Sequence, residues 1–310
     1  MQSSLAFVFP GQGSQSLGML GELAAAHPEV RESFDEASAG AGVDLWTLAQ
    51  HGPENQLNQT EFTQPALLAA GVAVWRAWIA RGGAQPAQFA GHSLGEYVAL
   101  VAAGALSLTD SARLVRERGR LMQAAAPAGS GAMAAVLGVD DALVAEVCLQ
   151  VSNATVVVPA NYNAPGQIVI GGHADAVDRA LAELALRGVR KTIKLAVSVP
   201  SHTPLMRDAA NRLGEFMATL YWQLPDRPVI QNADAVAHDS AEKIRDALKR
   251  QLYLPVRWTE CVQALTTNGA TRIVECGPGK VLSGLIKRID KSVDERPIAA
   301  PDDFDAALAG

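Results

Sequence analysis

Gly91-His92-Ser93-Leu94-Gly95 fits the pattern G-x-S-x-G. A short apolar stretch, 88–90, runs into it, and a helical stretch, 96–103, runs out of it. That is the strand, sharp turn and helix of a nucleophile elbow. On so tight a turn the residues two before and two after the serine must lack bulk, which Gly91 and Gly95 satisfy. The turn lifts the Ser93 hydroxyl to the tip of a sheet and aims the Leu94 N–H at any oxyanion formed there. The same five-residue pattern also arises by accident, as a glycine-containing turn that happens to carry a serine. Its weight therefore rests on the partners found elsewhere in the chain.

Two partners stand out. In the expected helix 109–126, Thr109 is a candidate cap and Asp110 suits the first turn. Leu114, Val115, Leu121, Met122 and Ala125 form one apolar stripe, and Arg118 lies inside it, while Arg113, Arg116 and Arg120 point elsewhere. An arginine on a buried face needs an anion. The anion is either a ligand or a protein carboxylate, unless the side chain snorkels out. Among the six histidines, His202 sits in the Pro-flanked loop Pro200-Ser201-His202-Thr203-Pro204. It is the best candidate base; the alternative is an ordinary exposed loop histidine. His27 and His51 lie beside helix breaks, His173 and His238 near turns. His92 adjoins Ser93, where neighbouring side chains rarely converge.

The elements that must position these groups alternate. The apolar run Leu5–Phe9 suits a strand buried on both faces. Pro10-Gly11-Gln12-Gly13-Ser14-Gln15 follows it; with Ser16 in place of a third glycine this is not a dinucleotide fingerprint. Gly277-Pro278-Gly279-Lys280, followed by Val281, is not a phosphate-binding P-loop. The better reading of residues 10–15 is a loop at the carboxyl edge of a parallel sheet, with Gln12 facing Ser93. Residues 17–51 and 53–81 read as helical, broken at Pro28, Gly40, Gly42, Gly52 and Pro53. Gln64-Pro65 is expected to start a helix over 66–80.

After Pro127 and Gly129 the pattern changes. Strand 132–139, helix 141–150, strands 155–161 and 167–171 joined through 163–166, helix 174–187 and strand 192–199 give β-α-β-β-α-β, the order of a ferredoxin-like unit. Helix 206–220, strand 229–232, helices 241–252 and 256–267, strand 272–276 and helix 280–289 return to the first pattern. The fold class predicted is α/β: an α/β-hydrolase-like parallel-sheet core from 1–127 and 200–310, with 128–199 as an inserted ferredoxin-like small domain.

Composition narrows the function. The chain has 310 residues, 49% of them hydrophobic, a mean hydropathy of +0.10 and a net charge of −6. This describes a globular protein with a large core, without bulk affinity for nucleic acid. No run approaches the ~18 apolar residues of a membrane span, and the N-terminus lacks the pattern of a signal peptide. Cys148, Cys261 and Cys276 have no metal-ligand spacing and suggest a reducing, cytoplasmic setting.

Taken together, the segments FPGQGSQ, AGHSLGEY, RERGRLMQ, NYNAPGQIVI, VSVPSHTPLM, RQLYLPVRW and ECGPGKVL, in this order along nearly the whole chain, resemble the malonyl-CoA:acyl carrier protein transacylases of type II fatty acid synthesis. The resemblance implies an acyltransferase with Ser93 as the acyl-carrying nucleophile and His202 as its base. It implies an oxyanion hole from the amides of Gln12 and Leu94, and a main-chain carbonyl at Gln251 that orients the histidine in place of an acid. It makes Arg118 the partner of the malonyl carboxylate and puts His92 and Asn163 with the substrate. No cofactor or metal is implied; malonyl-CoA is the substrate, the acidic acyl carrier protein is the partner, and the enzyme acts as a monomer. A basic surface for the carrier is expected at Lys287 and Arg288, near Lys280. The rivals are a serine hydrolase using the same pair, for which a buried arginine has no purpose, the transacylase subunit of a malonate decarboxylase, and a non-catalytic binding module.

Overall fold

The computed structural model describes residues 4–127, 129–196 and 199–308. Its strands in chain order are β1 (Leu5–Phe9), β2 (Gln88–Gly91), β3 (Gly131–Leu137), β4 (Val157–Ala164), β5 (Gln167–His173), β6 (Lys191–Lys194), β7 (Val229–Gln231), β8 (Val236–Ala237), β9 (Arg272–Cys276) and β10 (Asp294–Ile298). Every residue of β1, β2 and β7 is buried, as expected of parallel strands covered on both faces. They form the centre of a six-stranded sheet ordered β10-β9-β1-β2-β7-β8, parallel except for the short edge strand β8. Phe7 meets Trp75 and Trp78 edge-on, each at 5.2 Å, locking the long apolar helix Thr60–Ala80 onto one face. The helix Trp258–Thr267 covers the other, with Ala6, Val8 and Ile230 in its cluster.

The second sheet is ordered β4-β5-β3-β6, with every pairing antiparallel. Helices Asp141–Val151 and Ala174–Leu186 pack on it around Val136, Ile168 and Ile170. This is the strand order of a ferredoxin-like unit, and the chain is an α/β protein with a parallel-sheet core and a small antiparallel sheet. A main-chain seam ties the small sheet to the segment just before helix Trp258–Thr267: Tyr162 N–H donates to the Val256 carbonyl and Val256 N–H to that of Ala160, both at 2.9 Å.

Several boundaries differ from the sequence reading. The helix expected over 66–80 begins at Thr60 and holds Pro65 inside it. The earlier turn is stabilised from outside, since the Glu61 amide donates to Gln123 Oε1 at 2.8 Å and the Thr63 hydroxyl to the Leu57 carbonyl at 2.5 Å. The cap of helix Leu108–Ala125 is Ser107, whose oxygen accepts from the Asp110 amide, and not Thr109. Strand β4 runs on to Ala164, so the hairpin turns at Pro165-Gly166. Strand β6 ends at Lys194; of the expected strand 192–199, residues 197 and 198 lie outside the described ones. Strand β10 and helix Pro301–Leu308 were not expected: Asp294–Ile298 is charged and carries a proline that suits an edge. Among the described residues, no helix is long and apolar enough to cross a membrane.

The ends of β1 and β2 nearly touch at the serine turn. A Cβ on Gly91 would lie 1.9 Å from the Gly95 carbonyl carbon, and one on Gly95 would lie 2.0 Å from the Phe9 oxygen. Both obstacles are backbone and cannot swing aside. Helical Gly284, by contrast, has nothing within 4 Å. Gly91→Ala or Gly95→Ala should therefore destabilise the protein by about 3 kcal/mol or more. Gly284→Ala should stabilise it by about 0.5–1 kcal/mol. Chemical denaturation of the three variants decides, and similar stabilities for all would contradict the close approach.

Candidate active site

The turn after β2 puts Ser93 in the left-handed region, at φ 52°. An asparagine clamps that strained backbone: Asn232, just past β7, accepts from Ser93 N–H at 2.7 Å and donates to the Gly91 carbonyl at 2.8 Å. The helix Gly95–Ala102 then leaves the sheet. Ser93 Oγ points into a cleft of about 260 Å³ lined by Gln12, His92, Leu94, Arg118, Asn161 and His202, among others. Gln12 follows β1 and Ser93 follows β2, so the cleft lies at the carboxyl edge of the parallel sheet, where open α/β folds bind ligands.

His202 reaches the serine from the far side of the chain. Its Nε2 lies 2.8 Å from Ser93 Oγ, and its Nδ1 lies 2.6 Å from the main-chain carbonyl of Gln251. A carbonyl only accepts, so the proton sits on Nδ1 and the Nε2 lone pair faces the serine hydroxyl. The backbone of His202 is also left-handed, at φ 61°, held by its own N–H donating to the Leu252 carbonyl at 3.0 Å. Burial and the nearby Arg118 charge push His202 down to about 3, against the pull of the Gln251 carbonyl. Among the described residues no acid contacts the imidazole; the pair is completed by main chain.

Arg118 projects from helix Leu108–Ala125 and is 1% exposed. Its Nη1 donates to Gln64 Oε1 at 2.8 Å, and its Nη2 to Gln251 Oε1 at 2.9 Å and to Ser93 Oγ at 3.2 Å. Tyr97 lies beneath it, 5.4 Å from ring centre to guanidinium carbon. All these partners are neutral, and the buried Nε–H has none. The charge is desolvated with room left for an anion. Arg116, by contrast, is half-buried and paired with Glu61 at 2.9 Å.

Beneath the serine lies Glu96, fully buried. Its oxygens accept from Asn232 N–H at 2.7 Å, Gln251 Nε2 at 2.9 Å and Gln231 Nε2 at 3.1 Å. Burial pushes its carboxyl up to about 7, while these donors and Arg118 oppose the shift. Three donors at its two oxygens suit the ionised form.

Ser93, His202, Arg118, Gln12, Leu94 and Gln251 are thus brought together. The amides of Gln12 and Leu94 donate to no other group among the described residues, and both residues line the cleft. His92 lines it too, its ring edge-on to Trp258 at 5.6 Å and its Nε2 2.8 Å from Asn163 Oδ1. Asn163 stands behind His92 and does not itself line the cleft; Asn161 does. Lys287 and Arg288 do not line the cleft and are exposed: Lys287 faces Glu295 at 3.5 Å, and Arg288 donates to Gln167 Oε1 at 2.5 Å and to the Pro165 carbonyl. Gln64, Glu96, Gln231 and Asn232 escaped the sequence reading. Glu96 had left a signal, as the lone charge in the apolar run GEYVALVA.

The family described as acyl transferase domain matches residues 6–300. The malonyl CoA-acyl carrier protein transacylase of Salmonella typhimurium is 50% identical over 306 residues, covering 99% of each chain. The crystal structure of a malonyl-CoA:acyl carrier protein transacylase from Xanthomonas oryzae superposes with a TM-score of 0.99 at 71% identity, covering 100% of this chain and 99% of that one. A malonyl-transacylase solved in complex with its type II PKS acyl-carrier protein gives 0.97 at 48% identity, covering 99% of each chain.

The folded value of His202 lies below the ordinary ~6.5 of histidine. The unfolded chain then binds more protons across that interval, and unfolding becomes easier as pH falls from about 6.5 toward 3. A nitrogen-detected NMR titration should show the His202 ring neutral and protonated on Nδ1 from pH 8 to about 5. An imidazolium already at pH 6 would contradict the geometry.

Proposed function

We infer the reaction from one premise: this chain belongs to the acyl transferase domain family, across residues 6–300. It is a malonyl-CoA:acyl carrier protein transacylase, moving a malonyl group from coenzyme A to the thiol of acyl carrier protein. The observation that carries the substrate choice is Arg118, a buried cation touching Ser93 Oγ with no carboxylate in contact with it among the described residues. A hydrolase of neutral esters has no use for such a group.

The steps follow from the distances. His202 Nε2 takes the proton of Ser93 Oγ as the oxygen attacks the thioester carbonyl. The amides of Gln12 and Leu94 receive the oxyanion. Collapse of the intermediate expels the coenzyme A thiolate, which regains a proton from His202, and leaves a malonyl ester on Ser93. The carrier thiol then gives its proton to His202 and attacks that ester, and Ser93 recovers its hydrogen. Throughout, Arg118 holds the malonyl carboxylate beside the reacting carbon, with His92, fixed by Asn163, forming the adjoining wall. The thioester is already activated, so neither metal nor redox cofactor is called for. The small sheet, in the unit 128–199 inserted between 1–127 and 200–310, supplies Met133 and Asn161 to the cleft. Three buried, unpaired thiols fit a cytoplasmic enzyme.

Mixing the protein with malonyl-CoA should raise its intact mass by one malonyl unit, mapped to the peptide that contains Ser93. A Ser93→Ala variant that still becomes labelled would end this mechanism, and rapid release of free malonate without an acceptor thiol would favour the hydrolase.

Arg118 should also set the choice of acyl group. Its planar guanidinium holds a carboxylate through two parallel hydrogen bonds, whereas an acetyl group offers it no carboxylate to bind. Arg118→Ala or Arg118→Gln should cut kcat/KM for malonyl-CoA by about 10²–10³-fold and leave that for acetyl-CoA unchanged or higher. Equal losses for both donors, with a lowered melting temperature, would make Arg118 merely structural.

A further inference from the structure

None of the transfer steps uses Glu96, yet it lies closer to the nucleophile in sequence than any other buried charge. The carboxylate sits at the second position of helix Gly95–Ala102, shut off from solvent beneath Ser93. Burying it is costly unless it is hydrogen-bonded and its charge is answered. Its hydrogen bonds are complete, with donors from Asn232, Gln231 and Gln251. Among the described residues, Arg118 is the cation that acts on it, and the side chain of Gln251 stands between them.

That amide has no freedom to turn over. An ionised carboxylate only accepts and a guanidinium only donates. Gln251 must therefore present Nε2 to Glu96 and Oε1 to Arg118; the flipped amide would face like to like at both ends. In the orientation seen, Nε2 also donates to the Ser93 carbonyl at 3.0 Å. The same residue ends helix Ala241–Gln251 and offers its main-chain carbonyl to His202 Nδ1. One buried residue thus touches the arginine and the nucleophile's backbone through its side-chain amide and the base through its main chain.

We propose that Glu96 is a positioning residue: by holding the Gln251 amide it fixes the Arg118 guanidinium, steadies the residue whose main-chain carbonyl orients His202 over Ser93, and supplies the buried counter-charge to Arg118. This rests on the reading that Ser93 is acylated from malonyl-CoA. Before substrate arrives, Glu96 balances Arg118. When the malonyl carboxylate enters, it meets the guanidinium directly, while Glu96 acts on it only through Gln251. Removing the Glu96 charge costs alignment and leaves the attraction for the incoming anion intact or stronger. Rate and affinity therefore separate, which a general loosening of the fold would not produce.

The test is single-turnover acylation by malonyl-CoA, followed by rapid quench, for the wild type, Glu96→Gln, Gln251→Met and the double variant. Gln251→Met keeps the main-chain carbonyl and removes only the amide. Glu96→Gln should lower the maximal acylation rate by about 10–10²-fold, the scale of a misplaced reacting group, with the half-saturating malonyl-CoA concentration unchanged or lower. The double variant should be no more than about threefold slower than Gln251→Met alone, because both changes break one relay. A Glu96→Gln rate within twofold of the wild type, a raised half-saturating concentration at unchanged rate, or losses that multiply in the double variant would each overturn the proposal. Should Glu96→Gln fail to fold, Gln251→Met decides alone. A fall of about tenfold or more with near-normal half-saturation supports the relay, and a wild-type rate overturns it. A wild type that forms no malonyl-serine would defeat the underlying reading instead.

Discussion

The site depends on one steric fact: backbone meets backbone at the carboxyl ends of β1 and β2, with no room for a side chain at Gly91 or Gly95. This approach places the loop after β1 against the turn after β2. Two amides from separate segments can then converge on the space in front of Ser93 without any movement at the moment of reaction. Preorganised dipoles of this kind are most effective where water is excluded. The aromatic packing of Phe7 against Trp75 and Trp78, and of Phe9 over Phe89, serves the same end by holding the two strands in register beneath the turn.

The electrostatics follow from keeping the base neutral in an apolar setting. An acid beside His202 would raise its affinity for protons and add a negative charge to a buried site whose substrate is itself an anion. A main-chain carbonyl orients the ring just as well and carries no net charge. The cation that the substrate needs is supplied by Arg118, whose neutral contacts leave it ready for an anion. Its field also discourages an imidazolium at His202, so substrate binding and base catalysis draw on the same group.

Much of this was legible in the sequence, for definite reasons. The elbow could be read because only glycines tolerate it, and Arg118 because a charge at helical spacing inside an apolar stripe has to be answered. The ferredoxin-like order could be read because strand and helix periods alternate cleanly between Gly131 and Lys194. What escaped depends on contacts between residues far apart in the chain. Asn232 clamps a turn 139 residues away, and no local pattern announces that. Glu96 entered the sequence reading only as the start of a helical stretch, since the sequence does not reveal which helix ends are buried. The start of helix Thr60–Ala80 was misplaced because Gln123, from another helix, caps the turn before Pro65. The neighbours of the exposed Lys287 and Arg288 (Glu295, Gln167 and the Pro165 carbonyl) come from other elements, so their own helix does not reveal them.

Ser93 and His202 both hold left-handed backbone, where an L-residue is strained by about 1–2 kcal/mol and glycine is not. The two positions that exchange the proton are therefore ones where the fold, left to itself, would favour glycine. Relaxing either would ease the backbone and abolish the chemistry. Stability and activity pull in opposite directions here, and drift toward a more stable sequence would erase the reaction first at the residues that perform it.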